Sequence, residues 1–284
     1  MKTLLLTLFL TISFSVPVFA QKTGSFDETI TFNGEQRILS FYVPTDYSPD
    51  STYKLMVGLH GLGDTGGNYR NSIINAAFWN TLLPNTIFVF PDGGVDRISD
   101  FYTPVGDEQI INEAINFANT NYNISEDDIV LQGFSLGGRS ALKYGLENHV
   151  MFKGLILNTP ALQGKLDVEN IMPYSIGYQY ENANKIPIAI IHGGLDLTYL
   201  DYDIELYQQL VRNNGIVRTG IISNMGHSIP TIQIMIQLFQ FIDEPLRDGI
   251  DIELVKLEIP QRTCHENIKP KLLIRNSGGE NTGD

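Results

Sequence analysis

Residues 128–146 read DIVLQGFSLGGRSALKYGL and contain the strongest structural signal in the chain. Positions 128–134 form an apolar run typical of a buried strand, and positions 137–146 are typical of a helix. Between them, residues 133–137 form a G-x-S-x-G turn. A serine on a sharp strand-to-helix turn needs glycines on both sides, because its backbone is strained and no side chains fit where strand and helix meet. The stretch therefore predicts a nucleophile, Ser135.

Strands and helices alternate on both sides of this turn. An opening hairpin at 28–32 and 37–43 is turned by Asn33-Gly34, a pair that favours tight hairpins. Further apolar strands are predicted at 54–60, 86–91, 153–158, 185–192 and 216–223, and helices at 107–119, 202–211 and 231–241. Such alternation predicts an α/β fold, a mostly parallel central sheet with helices on both faces. Ligands bind at the C-terminal ends of the strands in folds of this kind.

A nucleophilic serine needs a base, because its hydroxyl is almost never ionised near neutral pH. His227 follows the last strand of the predicted sheet and precedes the last helix. That is where α/β-hydrolases, whose chain order is serine, acid, histidine, place their base. Of the other histidines, His60 lies in an earlier turn, His149 ends the helix after Ser135, and His265 is near the C-terminus. His192 closes a strand, and we expect it to pack against the turn rather than react.

The acid of such a triad follows a strand between the serine and the histidine. Asp196 stands a short turn beyond the strand at 185–192 and is the favoured candidate. A carboxylate there would hold the imidazole tautomer and stabilise the imidazolium that forms. Asp201 and Asp203 remain rivals, although they open the next helix, where an acid more often caps the helix and favours its dipole.

An oxyanion hole needs two backbone N–H groups aimed at the developing negative charge. One is expected from Leu136, the residue after the nucleophile. The second is expected from the turn after the strand at 54–60, which reads HGLGD. Leu62 is the natural donor in that turn, and Gly61 is the alternative.

These turns together resemble the α/β-hydrolase superfamily over about residues 35–245. The motifs HGLGDTG at 60–66, GFSLGG at 133–138 and MGHS at 225–228 are similar to the phospholipase/carboxylesterase and acyl-protein-thioesterase group. The segments at 37–44 and 55–60 resemble the secreted feruloyl esterase and polyhydroxybutyrate depolymerase group.

The resemblance implies a serine esterase with Ser135 as nucleophile, Asp196 as acid, His227 as base, and Leu62 with Leu136 as oxyanion donors. One position departs from the pattern, because the thioesterase group usually has Gln where this chain has Leu136. That leaves the backbone donor intact but weakens any transfer of thioesterase substrate preference.

Composition excludes several other classes. The chain has 284 residues with 19 Lys and Arg against 32 Asp and Glu, a formal net charge of −13. Nucleic acids and anionic membrane surfaces both require a basic face, so neither is an expected partner. The histidines are scattered and Cys264 is the only cysteine, so no metal site is expected. No phosphate-binding glycine loop opens a helix after the first strand, and no cofactor is expected.

The first twenty residues are typical of a signal peptide. A positive start at Lys2 is followed by an apolar run, and Val18-Phe19-Ala20 places small residues where signal peptidase cuts. We therefore expect a mature chain from Gln21, secreted or periplasmic, without stable membrane insertion.

The pattern changes after the predicted α/β-hydrolase domain, residues 21–248. Residues 249–284 contain two alternating segments, at 250–259 and 268–275, and no helix. Two strands do not form a stable domain alone. This β-rich segment resembles the opening of bacterial cell-adhesion β-sandwich modules, and it either begins such a module or packs on the hydrolase.

The leading hypothesis is an exported serine hydrolase that cleaves carboxylic esters without a cofactor. Its substrate would be a small soluble ester, a polyester, or acyl or feruloyl groups on polysaccharide. The alternatives are a non-catalytic binding or adhesion protein on the same scaffold, and a serine peptidase of the same fold.

Overall fold

An eight-stranded sheet organises the chain in the computed structural model, which describes residues 21–94, 101–102, 105–162, 177–230, 232–245, 252–258 and 271–276. Its strands are β1 (Gly24–Phe32), β2 (Glu35–Val43), β3 (Tyr53–Leu59), β4 (Thr86–Pro91), β5 (Ile124–Phe134), β6 (Gly154–Asn158), β7 (Ile188–Gly193) and β8 (Val217–Ile222). They lie in the order β1-β2-β4-β3-β5-β6-β7-β8. From β4 to β8 all neighbours are parallel, whereas β1 and β2 join antiparallel at one edge. The predicted fold class is confirmed.

Helices cover both faces of this sheet. They are α1 (Gly66–Asn71), α2 (Trp79–Leu82), α3 (Ile110–Asn121), α4 (Leu136–Glu147), α5 (Leu200–Arg212) and α6 (Ile232–Asp243). One apolar cluster packs the sheet against α3, α4 and α5, and a second packs it against α1, α2 and α6. Along β3, Leu55 and Val57 belong to the first cluster and Met56 to the second. This alternation is the period-two geometry of a strand buried on both faces.

The predicted hairpin is present, with Asn33 and Gly34 at φ values of 51° and 84° between β1 and β2. Element ends differ from the prediction at several places. Strand β5 begins at Ile124, four residues before the predicted start. Strand β7 begins only at Ile188, because Tyr180–Lys185 forms a 3-10 helix and Pro187 has no N–H for a strand ladder.

Helices α1 and α2 were not predicted, since they are only 6 and 4 residues long and their sequences carry no helical repeat of apolar residues. Among the described residues, no helix has the length and apolar character needed to cross a bilayer. The predicted signal peptide, residues 1–20, lies outside the described residues.

Near the C-terminus, β9 (Ile252–Glu258) lies within the first predicted segment, and β10 (Lys271–Asn276) begins within the second and ends one residue beyond it. They pair antiparallel with each other in a two-stranded sheet of their own.

A buried ion pair fixes the exit of β4. The Arg37 guanidinium donates to both carboxylate oxygens of Asp107, at 2.7 and 2.6 Å, and to the backbone carbonyl of Asp92 at 3.1 Å. Asp107 also accepts from the Gly94 N–H at 3.0 Å. These bonds compensate both buried charges and tie the loop after β4 to β2.

Candidate active site

Ser135 stands at the sharp turn where β5 ends and α4 begins. Its backbone is strained, with φ of 56° and ψ of −120°. A side-chain carbon on Gly133 would lie 2.1 Å from the Gly137 carbonyl oxygen, and one on Gly137 would lie 2.1 Å from the Leu59 carbonyl oxygen. Only glycine fits at either position, which is the steric reason for the G-x-S-x-G spacing.

Backbone hydrogen bonds hold Ser135 at the C-terminal edge of the sheet. Its N–H donates to the Asn158 carbonyl at the end of β6, at 3.1 Å. Its carbonyl accepts from the N–H groups of Arg139 and Ala161, at 3.2 and 2.9 Å. Three separate elements therefore fix this one strained residue.

His227 and Asp196 form a hydrogen-bonded pair at the same edge. The His227 Nδ1 lies 2.5 Å from the Asp196 Oδ2. The Asp196 side chain is only 4% exposed, whereas the His227 side chain is 32% exposed. A neutral imidazole that donates from Nδ1 leaves Nε2 unprotonated, so Nε2 is able to accept a proton.

The backbone between the two turns keeps this pair together. The Asp196 N–H donates to the Gly193 carbonyl at 2.8 Å, which closes the turn after β7. The Leu195 N–H donates to the Met225 carbonyl at 2.9 Å, which joins that turn to the loop carrying His227. Two segments 31 residues apart thus bring acid and base into contact.

Two aromatic rings pack against the His227 imidazole. Its ring centroid lies 5.0 Å from that of Phe134 and 5.2 Å from that of Tyr199. Since Phe134 directly precedes Ser135, the base packs against the nucleophile's own turn. Neither aromatic residue was predicted as part of the site. For Phe134, its place directly before the serine in G-F-S-L-G could have indicated that it lies there.

The turn after β3 lies beside Ser135, as an oxyanion loop must. A side-chain carbon on Gly61 would be 3.1 Å from the Ser135 Cβ. His60 orients this turn, because its Nδ1 donates to the Gly61 carbonyl at 2.7 Å and its Nε2 accepts from the Gly93 N–H at 2.9 Å. That carbonyl shares a planar trans peptide with the Leu62 N–H, which points the opposite way. His60 is therefore a third residue whose role at the site was not predicted from the sequence.

Leu136 is the first residue of α4, so its N–H is one of the helix donors that lack a partner within the helix. The Leu62 side chain is 69% exposed, which leaves the loop surface open toward solvent. The two candidate oxyanion donors thus lie on the two turns that flank Ser135.

A second histidine–aspartate pair lies buried behind the first. The His192 Nδ1 is 2.6 Å from the Asp203 Oδ2, and the His192 Nε2 is 2.9 Å from the backbone carbonyl of Asp196. Side chains of both members are nearly inaccessible, at 2% and 3% exposure. The rival Asp203 is therefore bonded to His192, and the favoured Asp196 is the one that meets His227. Asp201 lies exposed on α5.

Burial and pairing shift both groups of this second pair. Burial alone lowers the pKa of His192, but the hydrogen bond to Asp203 and the charges of Asp203 and Asp196 outweigh it and raise the pKa overall. Burial raises the pKa of Asp203 to about 6, and His192 opposes this only in part. Both shifts favour keeping the proton that lies between the two side chains.

Within the described part of the chain, no group of three or more His, Cys, Asp or Glu side chains is arranged to hold a metal ion. His265 and Cys264 lie outside the described residues.

Known structures share this architecture. The CE1 ferulic acid esterase AmCE1/Fae1A from Anaeromyces mucronatus superposes with a TM-score of 0.62 at 18% identity, covering 81% of this chain and 93% of that one. The chain has the α/β-hydrolase fold. A thermostable esterase matches this chain with a TM-score of 0.54 at 22% identity, over 69% of this chain and 54% of that chain.

Sequence comparison points the same way. The Esterase family model, described as "Putative esterase", matches this chain over residues 31–165, a range that includes Ser135 and ends before Asp196. A bifunctional acetylxylan esterase/xylanase, XynS20E of Neocallimastix patriciarum, is 32% identical over 107 residues. That match covers 37% of this chain and 15% of the relative. The predicted resemblance to serine esterases of the α/β-hydrolase type is confirmed.

Proposed function

We propose that the hydrolase is an exported serine esterase that cleaves carboxylic esters through an acyl-enzyme intermediate on Ser135. The observation that carries the proposal is the Asp196–His227 pair, whose imidazole packs on Phe134 beside the strained Ser135. A strained serine, a half-exposed base and a buried acid are the parts that acyl transfer needs.

In the first half-reaction, the Ser135 Oγ attacks the ester carbonyl carbon while its proton passes to the His227 Nε2. The carbonyl oxygen becomes an oxyanion, which the N–H groups of Leu62 and Leu136 stabilise. Asp196 stabilises the imidazolium and holds the tautomer. When the tetrahedral intermediate collapses, the C–O bond to the alcohol breaks and the His227 proton goes to the departing oxygen.

In the second half-reaction, water takes the place of the alcohol. His227 accepts a proton from the water as its oxygen attacks the acyl carbon, and the same oxyanion site stabilises the intermediate. Collapse breaks the bond to the Ser135 Oγ, which recovers its proton, and releases the carboxylic acid.

For the substrate, we propose acyl or aromatic esters on polysaccharide, with small soluble esters and polyesters as the further members of the class. Support comes from the relatives, which are described as an acetylxylan esterase/xylanase and a ferulic acid esterase. The typical signal peptide at residues 1–20 supports a secreted or periplasmic location, where such polymers are met.

A substrate panel tests this function. The mature chain is assayed on p-nitrophenyl acetate, butyrate and palmitate, methyl ferulate, acetylated xylan and a peptide anilide, each beside Ser135→Ala. We expect hydrolysis of the short esters and of at least one polysaccharide-type ester, all abolished by the substitution. Hydrolysis of the anilide alone would indicate a peptidase, and no hydrolysis of any substrate would favour the binding protein.

A further inference from the structure

The buried His192–Asp203 pair has a hydrogen-bond arrangement that constrains its proton. A backbone carbonyl only accepts, so the His192 Nε2 that faces the Asp196 carbonyl at 2.9 Å must carry hydrogen. The other ring nitrogen faces a carboxylate oxygen of Asp203 at 2.6 Å, a distance typical of a charge-assisted bond. A proton therefore lies in each of the two bonds, and the pair joins Asp203 on α5 to the backbone of Asp196.

The position of this pair links it to the candidate triad. The Asp196 carbonyl accepts from His192, and the Asp196 carboxylate, on the same residue, accepts from His227. The Asp196 N–H is bonded to Gly193, so both backbone polar groups of Asp196 are held from β7. A carboxylate on a fixed backbone holds its imidazole in one orientation, and small displacements of such groups cost large factors in rate.

We propose that His192 and Asp203 form a positioning pair, which holds Asp196 by its backbone carbonyl in the orientation that the base requires. The inference rests on the proposed function, in which Asp196 orients His227. Neither member touches the reacting atoms, because both side chains are buried behind Asp196. The charged groups that act on the pair are its own members and the Asp196 carboxylate.

Two substitutions separate positioning from packing. His192→Phe keeps a ring in the site but removes both N–H donors, and Asp203→Asn removes the charge that holds the imidazolium. Asp201→Asn is the matched control, since Asp201 lies exposed on the same helix. All variants are first checked for native circular dichroism.

We expect His192→Phe to lower kcat on a short ester by about 10- to 100-fold, because a displacement of about 1 Å in a catalytic group can cost about 100-fold in rate. KM should stay within twofold, because no substrate contact is changed. The double variant His192→Phe/Asp203→Asn should lose little more kcat than His192→Phe alone, since the two residues act as one unit. Asp201→Asn should match the wild type in all measurements.

The pH profile adds a readout that packing alone would not move. The acidic limb of kcat/KM reports protonation of the base in the unliganded enzyme. If His192→Phe loosens Asp196, the imidazolium of His227 loses stabilisation and that limb should shift to lower pH. A folded His192→Phe variant with kcat within twofold of wild type and an unshifted limb would overturn the proposal.

Proton NMR tests the pair without any activity. The wild type should show two strongly downfield resonances from the two imidazole N–H···carboxylate bonds, one for each pair. In Asp203→Asn the His192 resonance should disappear and the His227 resonance should move or broaden, whereas Asp201→Asn should change neither. An unmoved His227 resonance would refute the positioning role. If His192→Phe does not fold, Asp203→Asn carries the same test.

Failure of this inference is distinguishable from failure of the proposed function. An inactive wild type that also does not react at Ser135 with a fluorophosphonate probe would refute the esterase, and the NMR comparison would still decide the positioning role. An active wild type with an unaffected His192→Phe variant would refute the positioning role alone.

Discussion

The two histidine–aspartate pairs use the same side chains at nearly the same distance, 2.5 Å for His227–Asp196 and 2.6 Å for His192–Asp203. They differ in what surrounds the ring. The His227 side chain is 32% exposed and that of His192 is 2% exposed. The second ring nitrogen of His192 is bonded to the Asp196 carbonyl, whereas the described residues place no hydrogen bond on the Nε2 of His227. A carboxylate partner alone therefore does not define a base, because a base also needs a nitrogen that substrate can reach.

The largest effect should come from the exposed pair and its nucleophile. Ser135→Ala and His227→Ala should each lower kcat on an accepted ester by on the order of 10⁶, because serine and base act as a unit. Steady-state assays with native circular dichroism measure this, with His149→Ala as a histidine control away from the site. If His227→Ala keeps more than a tenth of the activity, the base is misassigned.

A smaller loss should follow when only the acid of the exposed pair is changed. Asp196→Asn keeps the shape but favours the wrong imidazole tautomer, so kcat should fall by on the order of 10⁴. Asp201→Asn, assayed in parallel, should have no effect. A larger loss at Asp201 or Asp203 than at Asp196 would move the acid to that residue.

The buried pair should dominate a different measurement, the dependence of stability on pH. The folded-state pKa values of His192 and Asp203 are both raised, that of Asp203 to about 6. Their stabilisation is therefore fully present at low pH and is lost as pH rises through about 6 and then through the raised pKa of His192. Asp203→Asn removes this contribution.

Asp203→Asn should accordingly lose more unfolding free energy relative to wild type at pH 5 than at pH 8, by roughly 1–2 kcal/mol. Its Tm should therefore fall further below that of wild type at pH 5. Thermal melting at both pH values, with Asp201→Asn as control, measures the difference. A deficit that grows toward pH 8 would contradict the direction of both shifts.

The smallest effect should come from removing the C-terminal segment, which we propose to be separate from the α/β domain. A chain ending at Asp248 loses β9 and β10, which pair with each other in their own sheet. We expect kcat/KM on a short ester to stay within about twofold and stability to fall by no more than ~1 kcal/mol, as for a change away from the core. Both histidine pairs should then give unchanged NMR resonances. Aggregation or a clear drop in Tm would show that the segment covers the sheet instead.

Local chemistry explains why much of the fold was predictable. The strand-to-helix turn at Ser135 admits only glycine at positions 133 and 137, so its sequence is tightly constrained by geometry. The Asn33-Gly34 turn and the buried run of β7 are similarly local signals. Element ends were less predictable, as at Ile124, because a strand's extent depends on the neighbour with which it pairs.

The sequence by itself determined the α/β alternation, the position of the strained serine, and the short set of histidines and acids that follow strands. It left Asp196, Asp201 and Asp203 as competing acids, since all three lie within eight residues on the same turn and helix. Only the tertiary structure brought the loop of His227 against the turn after β7 and buried His192 behind it. Hydrogen bonds between side chains depend on distances across the fold, and no local pattern along the chain encodes them.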